Sequence, residues 1–156
     1  MMYKKILVAI DSSLQASKVF QEALDIAHQS GSHLMLFHCI STNLRYEFIP
    51  SVGSLADVDM YGTLQKQHQK SLNQETQKAQ GWLETYCQKA NISKVYAEYK
   101  FGYGEASKQI CDFAKLWGAD LIVLGRRGHR GITEILLGSV SSYVLHHASC
   151  SVLVVQ

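Results

Sequence analysis

Ala119-Asp120-Leu121-Ile122-Val123-Leu124-Gly125-Arg126-Arg127-Gly128-His129-Arg130-Gly131-Ile132-Thr133-Glu134-Ile135-Leu136-Leu137-Gly138-Ser139-Val140-Ser141-Ser142 is the stretch that decides how the chain folds. An apolar run stops at Gly125, a loop of glycines and arginines follows, and an apolar helical pattern begins after Gly138. The order is strand, loop, helix. Three of the four arginines, Arg126, Arg127 and Arg130, fall inside the loop. Glycine lets backbone N–H groups approach a ligand closely. A helix N-terminus leaves its first N–H groups without partners and carries the positive end of the helix dipole, which suits an anion. Arginine adds forked donors matched to phosphate. The simplest reading is a cradle for a phosphorylated small molecule.

The same alternation runs through the rest of the chain. Residues 4–10, 33–40, 94–101, 120–124 and 151–155 read as strands. Most are unbroken apolar runs, as expected of strands buried on both faces of a parallel sheet. Helical spacing separates them. Ala16, Val19, Phe20, Ala23, Leu24 and Ala27 form an apolar stripe closed by Ser30-Gly31. Leu72, Ala79, Leu83, Tyr86 and Ala90 mark a longer, wetter helix. Ala106, Ile110, Phe113, Ala114 and Trp117 mark a third, closed by Gly118, and Val140, Val144 and Leu145 a fourth. The order β-α-β-α-β-α-β-α-β predicts a doubly wound α/β fold with right-handed crossovers. Residues 41–63, with Pro50, Gly53 and Gly62, read as an irregular loop, a flap or interaction segment.

Composition narrows the function classes. At 156 residues, with 47% hydrophobic and 18% charged residues, the chain reads as one globular domain spanning residues 1–156. A net charge of +2, with the positive charge local to one loop, argues against a general nucleic-acid surface. No apolar run reaches the roughly 18 residues a membrane span needs. The opening Lys4-Lys5-Ile6-Leu7-Val8-Ala9-Ile10-Asp11 reads as a strand, not a signal peptide, and a cytoplasmic location follows. Cys39, Cys87, Cys111 and Cys150 form no CxxC pair and read as reduced, buried or half-buried thiols. The seven histidines show no metal-ligand spacing; His38, in a buried strand, reads as a satisfied core histidine.

Open α/β sheets bind ligands beyond the carboxyl ends of strands where strand order reverses. Two strand ends carry suitable chemistry, Ile10-Asp11-Ser12-Ser13 and the Gly125 loop. If the first and fourth strands are neighbours, both face one crevice. Asp11 then has two readings, a helix N-cap or an acceptor for sugar hydroxyls. With phosphate donors opposite, the pair describes a nucleotide. No P-loop, strand-linked GxGxxG or GxSxG elbow is present, and no nucleophile has a base at recognisable spacing.

Gly125-xx-Gly128, nine residues, then Gly138-Ser139 resembles the nucleotide signature of the universal stress protein family. The likeness extends from Lys4–Ser13 through Phe37-His38-Cys39, Ala119–Gly125 and Leu136–Ser141 to Val152–Val155. It implies a five-stranded parallel, Rossmann-like sheet of order 3-2-1-4-5. It also implies a homodimer built through the final strand, and ATP binding, with or without Mg²⁺, where the glycine signature is kept. Carried over by position, Asp11 contacts the ribose and Ala9 and Ile10 line the base pocket. Cys39 meets adenine through its backbone, and Leu124 flanks base or ribose. Gly125, Gly128, Gly138 and Ser139 hold the phosphates, with Val140 and Ser141 adjacent. Two departures stand out. Arg126, Arg127 and Arg130 make the loop unusually basic, as phosphate contacts or as a partner-facing surface. Ser151 replaces the proline that usually precedes the last strand.

The expected function is an ATP-binding, dimeric stress-response or regulatory module. The competing readings are a slow ATP hydrolase or nucleotidyl-transfer enzyme, and a nucleotide-free dimeric interaction module. The lack of an evident general base places fast catalysis behind binding.

Overall fold

The computed structural model describes residues 3–42, 55–126 and 137–156. The elements run β1 (Lys5–Ala9), α1 (Ala16–Ser30), β2 (His33–Ile40), α2 (Leu55–Ile92), β3 (Ala97–Tyr103), α3 (Ala106–Trp117), β4 (Leu121–Gly125), α4 (Ser139–His147) and β5 (Ser151–Val155). All strand pairs are parallel, in the order β3-β2-β1-β4-β5. The doubly wound sheet and its strand order match the expectation.

Side-chain alternation along the strands divides the core into two layers. Ile6, Val8, Leu34, Leu36, Leu121 and Val123 pack with the apolar stripe of α1 and with Leu83 and Ala90 of α2. Leu7, Met35, Phe37, Ile122 and Leu124 face Ile110 and Ala114 of α3 and Val144 of α4. Burial on both sides explains why the central strands read as continuous apolar runs. The helices stop where the sequence predicts. Gly31 and Gly118 adopt left-handed φ values of 65° and 71°, conformations that strain a residue bearing a Cβ.

Two expectations are corrected. Residues 55–63, read as loop, are the first part of a 38-residue helix. Gly62 misled that reading, yet a Cβ there would meet nothing within 4 Å, so the exposed helix tolerates it at a cost of about 1 kcal/mol relative to alanine. The remainder of that segment, residues 43–54, lies outside the described residues. The third strand begins at Ala97 rather than residue 94. Lys94 turns at φ 59°, and the Val95 amide donates to Ala90 O at 2.9 Å. Val95 therefore closes α2, and its buried side chain reflects that role.

At the amino ends of the strands, the backbone amides of Lys4 and Lys5 donate to Asp120 Oδ2 at 2.8 and 2.9 Å. These bonds, foremost the one from Lys4, hold the Asp120 carboxyl below the ordinary carboxylate range. They fasten the start of β1 to the start of β4. A carboxyl with a depressed folded-state pKa adds stability above its unfolded pKa and loses it as pH falls through the folded value. Asp120→Ala is therefore expected to lower the urea midpoint at neutral pH. The gap to the parent should close in acid below the usual carboxylate range. A gap that is constant with pH would assign the loss to packing instead.

Candidate functional site

β1 lies between β2 and β4, and the chain leaves β1 toward β2 but returns through α3 to β4 on the other side. Strand order reverses between β1 and β4, where Ala9 pairs with Leu124. A crevice opens beyond these ends. Its floor and walls include Ala9, Ile10, Asp11, Cys39, Leu124, Gly125 and Val140, all expected from the sequence. Phe37, His38, Ser13, Gln15, Ala16, Val19, Ala106 and Ile110 complete the lining.

Three helices begin at this crevice. α1 starts after Gln15, α3 after Glu105 and α4 after Gly138, and none of the three cap residues makes a side-chain capping bond. No acidic residue occupies the first turn of any of them. Their leading N–H groups lack helical acceptors and their dipoles add at one place. The sequence reading found only the α4 terminus. Ala16 and Ile110 are core positions, as their helical spacing predicts, and they also line the crevice. A hint was present in Ala16 and Ala106, small residues in the first turns of α1 and α3 that leave the backbone approachable.

Asp11 does not cap α1. Its Oδ1 accepts the Ser13 amide at 2.9 Å in a tight turn between β1 and α1. A carboxylate has room for about four such bonds, so the turn leaves acceptor capacity. Ile10 is fixed from both sides by β2. Its amide donates to Phe37 O at 3.0 Å, and its carbonyl lies 3.0 Å from His38 Nδ1. Because a carbonyl only accepts, Nδ1 carries the proton in that bond. His38 is thus satisfied, as the sequence suggested, but it is half-buried on the crevice wall rather than sealed in the core.

The Cys39 thiol donates to Gly104 O at 3.5 Å, and burial pushes its pKa up. The half-buried thiol forms part of the crevice wall. Phe37 stacks on Phe113 with centroids 4.9 Å apart. That packing requires Gly102 opposite, since a Cβ there would sit 2.5 Å from the Phe37 ring.

The far side of the crevice is organised by the backbone of Arg126. Its amide donates to Val155 O at 2.9 Å, and its carbonyl accepts the Gly138 amide at 2.9 Å. Ser141 Oγ lies 3.2 Å from that carbonyl and 3.0 Å from Gly138 O. Ser141 is 1% exposed, so its hydroxyl is engaged within the fold. Ser139 stands exposed at the α4 N-terminus. Gly138, Ser139, Ser141 and Arg126 border the crevice region through α4 without lining it. Gly128, Arg127 and Arg130 fall outside the described residues.

The whole-chain comparison agrees with this geometry. A family model described as the universal stress protein family matches residues 2–156. The chain belongs to the universal stress protein family. A universal stress protein of Synechocystis sp. is 41% identical over 155 residues, covering 99% of this chain and 98% of the relative. Universal stress protein UspA from Lactobacillus plantarum superposes with a TM-score of 0.82 at 28% identity, covering 100% and 99% of the two chains. At the level of fold alone, an Archaeoglobus fulgidus family member solved with dAMP gives a TM-score of 0.62 at 21% identity, with full coverage of both. An Arabidopsis thaliana member with AMP bound gives 0.61 at 20%, covering 97% of this chain and 90% of that one.

Gly138 tests the α4 side of the site without any ligand. Its φ of −63° suits any residue, but a Cβ would lie 2.7 Å from Arg126 O, a backbone atom that cannot turn aside. Gly138→Ala is expected to cost about 1–3 kcal/mol, in line with other overpacking substitutions. Chemical denaturation measures it. Unchanged stability would mean that the α4 start moves freely relative to β4.

Proposed function

We propose that the crevice binds an adenine nucleotide, ATP among them, and that the chain works as a nucleotide-responsive regulatory or stress-response protein. The observation that carries this reading is the convergence of three helix N-termini without side-chain caps on one apolar-walled crevice with Asp11 at its floor. N–H donors and aligned dipoles suit phosphate. A carboxylate with spare acceptor capacity suits ribose hydroxyls. The apolar wall of Ala9, Ile10, Leu124 and Val140 suits a base. Relatives solved with AMP and dAMP support the choice of adenine.

In this reading Asp11 holds the ribose and Cys39 meets adenine through its backbone. Gly125, Gly128, Gly138 and Ser139 approach the phosphates, Arg126, Arg127 and Arg130 add positive charge beside them, and Val140 and Ser141 shape the α4 turn. Among the described residues, no group of three or more His, Cys, Asp or Glu side chains forms a metal cluster. Mg²⁺ would therefore enter on the nucleotide's phosphates, with Asp11 as the nearby carboxylate. Fast hydrolysis is not expected, since Asp11 is the single carboxylate among the described lining residues.

The whole chain reads as one domain, and it pairs with a second copy through β5. β5 is an edge strand whose outer backbone groups meet no strand within the described residues, a surface suited to pairing. Among the described residues no helix is long and apolar enough to cross a membrane. We place the protein in the cytoplasm, without a nucleic-acid partner.

Calorimetric titration with AMP and with ATP·Mg²⁺ should give saturable binding. Asp11→Ala should weaken it about tenfold or more, as loss of a hydrogen bond to a charged group does. No heat with either nucleotide at millimolar concentration would sink the proposal. Sedimentation should give twice the 17.5 kDa of the chain. A monomer at micromolar concentration would remove the dimer.

A further inference from the structure

His38 has three neighbours of different kinds. It lines the crevice, its Nδ1–H donates to Ile10 O at 3.0 Å, and its ring meets Trp82 of α2 nearly perpendicularly, with centroids 5.0 Å apart. Beyond Trp82 the contacts continue to Tyr86, at 6.1 Å, and from Tyr86 to Phe20 of α1, at 4.6 Å. The carbonyl that His38 holds belongs to the Ile10–Asp11 peptide. That unit is planar and trans, so fixing the carbonyl turns the Asp11 amide to the opposite side. Asp11 Oδ1 in turn holds the Ser13 amide. One imidazole therefore sets the orientation of the β1–α1 turn and touches the helix on the outer layer.

We propose that His38 is a positioning residue of the crevice, orienting the Ile10–Asp11 peptide and passing the state of that turn to helix α2 through Trp82. The inference rests on nucleotide binding at Asp11. A ligand that engages Asp11 pulls on the peptide His38 holds, and the ring shifts against Trp82. Before α2 reaches this contact, most of the helix from Asp59 to Lys78 is exposed, with Met60, Tyr61 and Leu64 each about half exposed. The contact thus lies where the helix joins the body.

The chain has two tryptophans, Trp82 and Trp117, so Trp117→Phe leaves Trp82 as the sole reporter. In that background AMP is titrated by calorimetry and, in parallel, by tryptophan emission. Trp82 emission should change saturably, with the calorimetric midpoint. Two variants separate the two contacts. His38→Asn keeps a donor for Ile10 O and removes the ring. It should still saturate with AMP, a few-fold more weakly, while Trp82 emission no longer follows. His38→Phe keeps the ring and removes the donor. It should weaken AMP about tenfold, and Trp82 emission should no longer follow occupancy, because the ring is no longer tied to the peptide. Saturating heat with silent Trp82 overturns the coupling and leaves nucleotide binding intact. Emission that still follows in His38→Asn overturns the route through His38. Absence of heat in the parent protein removes the nucleotide reading, and this inference with it.

Discussion

The pairing of β1 with β4 is the constraint on which the site depends. Ile6 to Ala9 lie in register with Leu121 to Leu124, and the paired ends deliver the Asp11 turn and the Gly125 loop to the same place. Neither segment has a reason to meet the other except through that register. It is defended from both layers, since Ile6, Val8 and Val123 are sealed on one face and Leu7 and Ile122 on the other, all 0% exposed. A slip of one residue would exchange the two faces of the strand. Asp120 secures the other end of the same pair by accepting the amides of Lys4 and Lys5. The core thus does more than hold the fold together. It fixes the separation of the groups that border the crevice.

The described residues around the crevice supply backbone donors and side chains tied into the fold. Helix N-termini offer backbone donors, which position an anion without exchanging protons with it. Cys39 is a neutral thiol engaged with Gly104 O, and His38 commits its Nδ1 proton to Ile10 O. Ser141, which the family resemblance places beside the phosphate-holding residues, turns its hydroxyl inward to the carbonyls of Arg126 and Gly138. Its contribution is to hold the first turn of α4 against the end of β4. The start of α4 is thereby held in place while the hydroxyl remains occupied.

Much of this was legible in the sequence because the relevant physics is local. Apolar runs, the stripe of α1, and the glycines at positions 31 and 118 each announce themselves within a few residues, and the structure bears them out. The ends of β1 and β4 could be named as facing one crevice because strand ends and loops differ sharply in composition. The parts that were missed are those fixed by distant partners. Residues 59–64 of α2 are mostly exposed and carry no core-facing pattern, so Gly62 outweighed the helical reading. Val95 looked like a strand residue because it begins an alternation with Ala97, Tyr99 and Phe101, though its amide closes a helix. Ala16 and Ala106 reach the crevice only because α1 and α3 start on opposite sides of one sheet, an arrangement that no window of sequence contains.

The length of α2 has a mechanical consequence. Its 38 residues extend about 57 Å at 1.5 Å per residue, yet its buried anchors are Ala79, Leu83 and Ala90 near the carboxyl end. The stretch from Trp82 back to Met60 is about 33 Å long. Seated near its carboxyl end and, among the described residues, largely exposed from Asp59 to Lys78, the helix has the geometry of a lever with its fulcrum beside the crevice. A tilt of about 5° at the fulcrum sweeps the tip through about 3 Å over that length. A shift too small to disturb the core becomes a displacement comparable to a side chain at the surface.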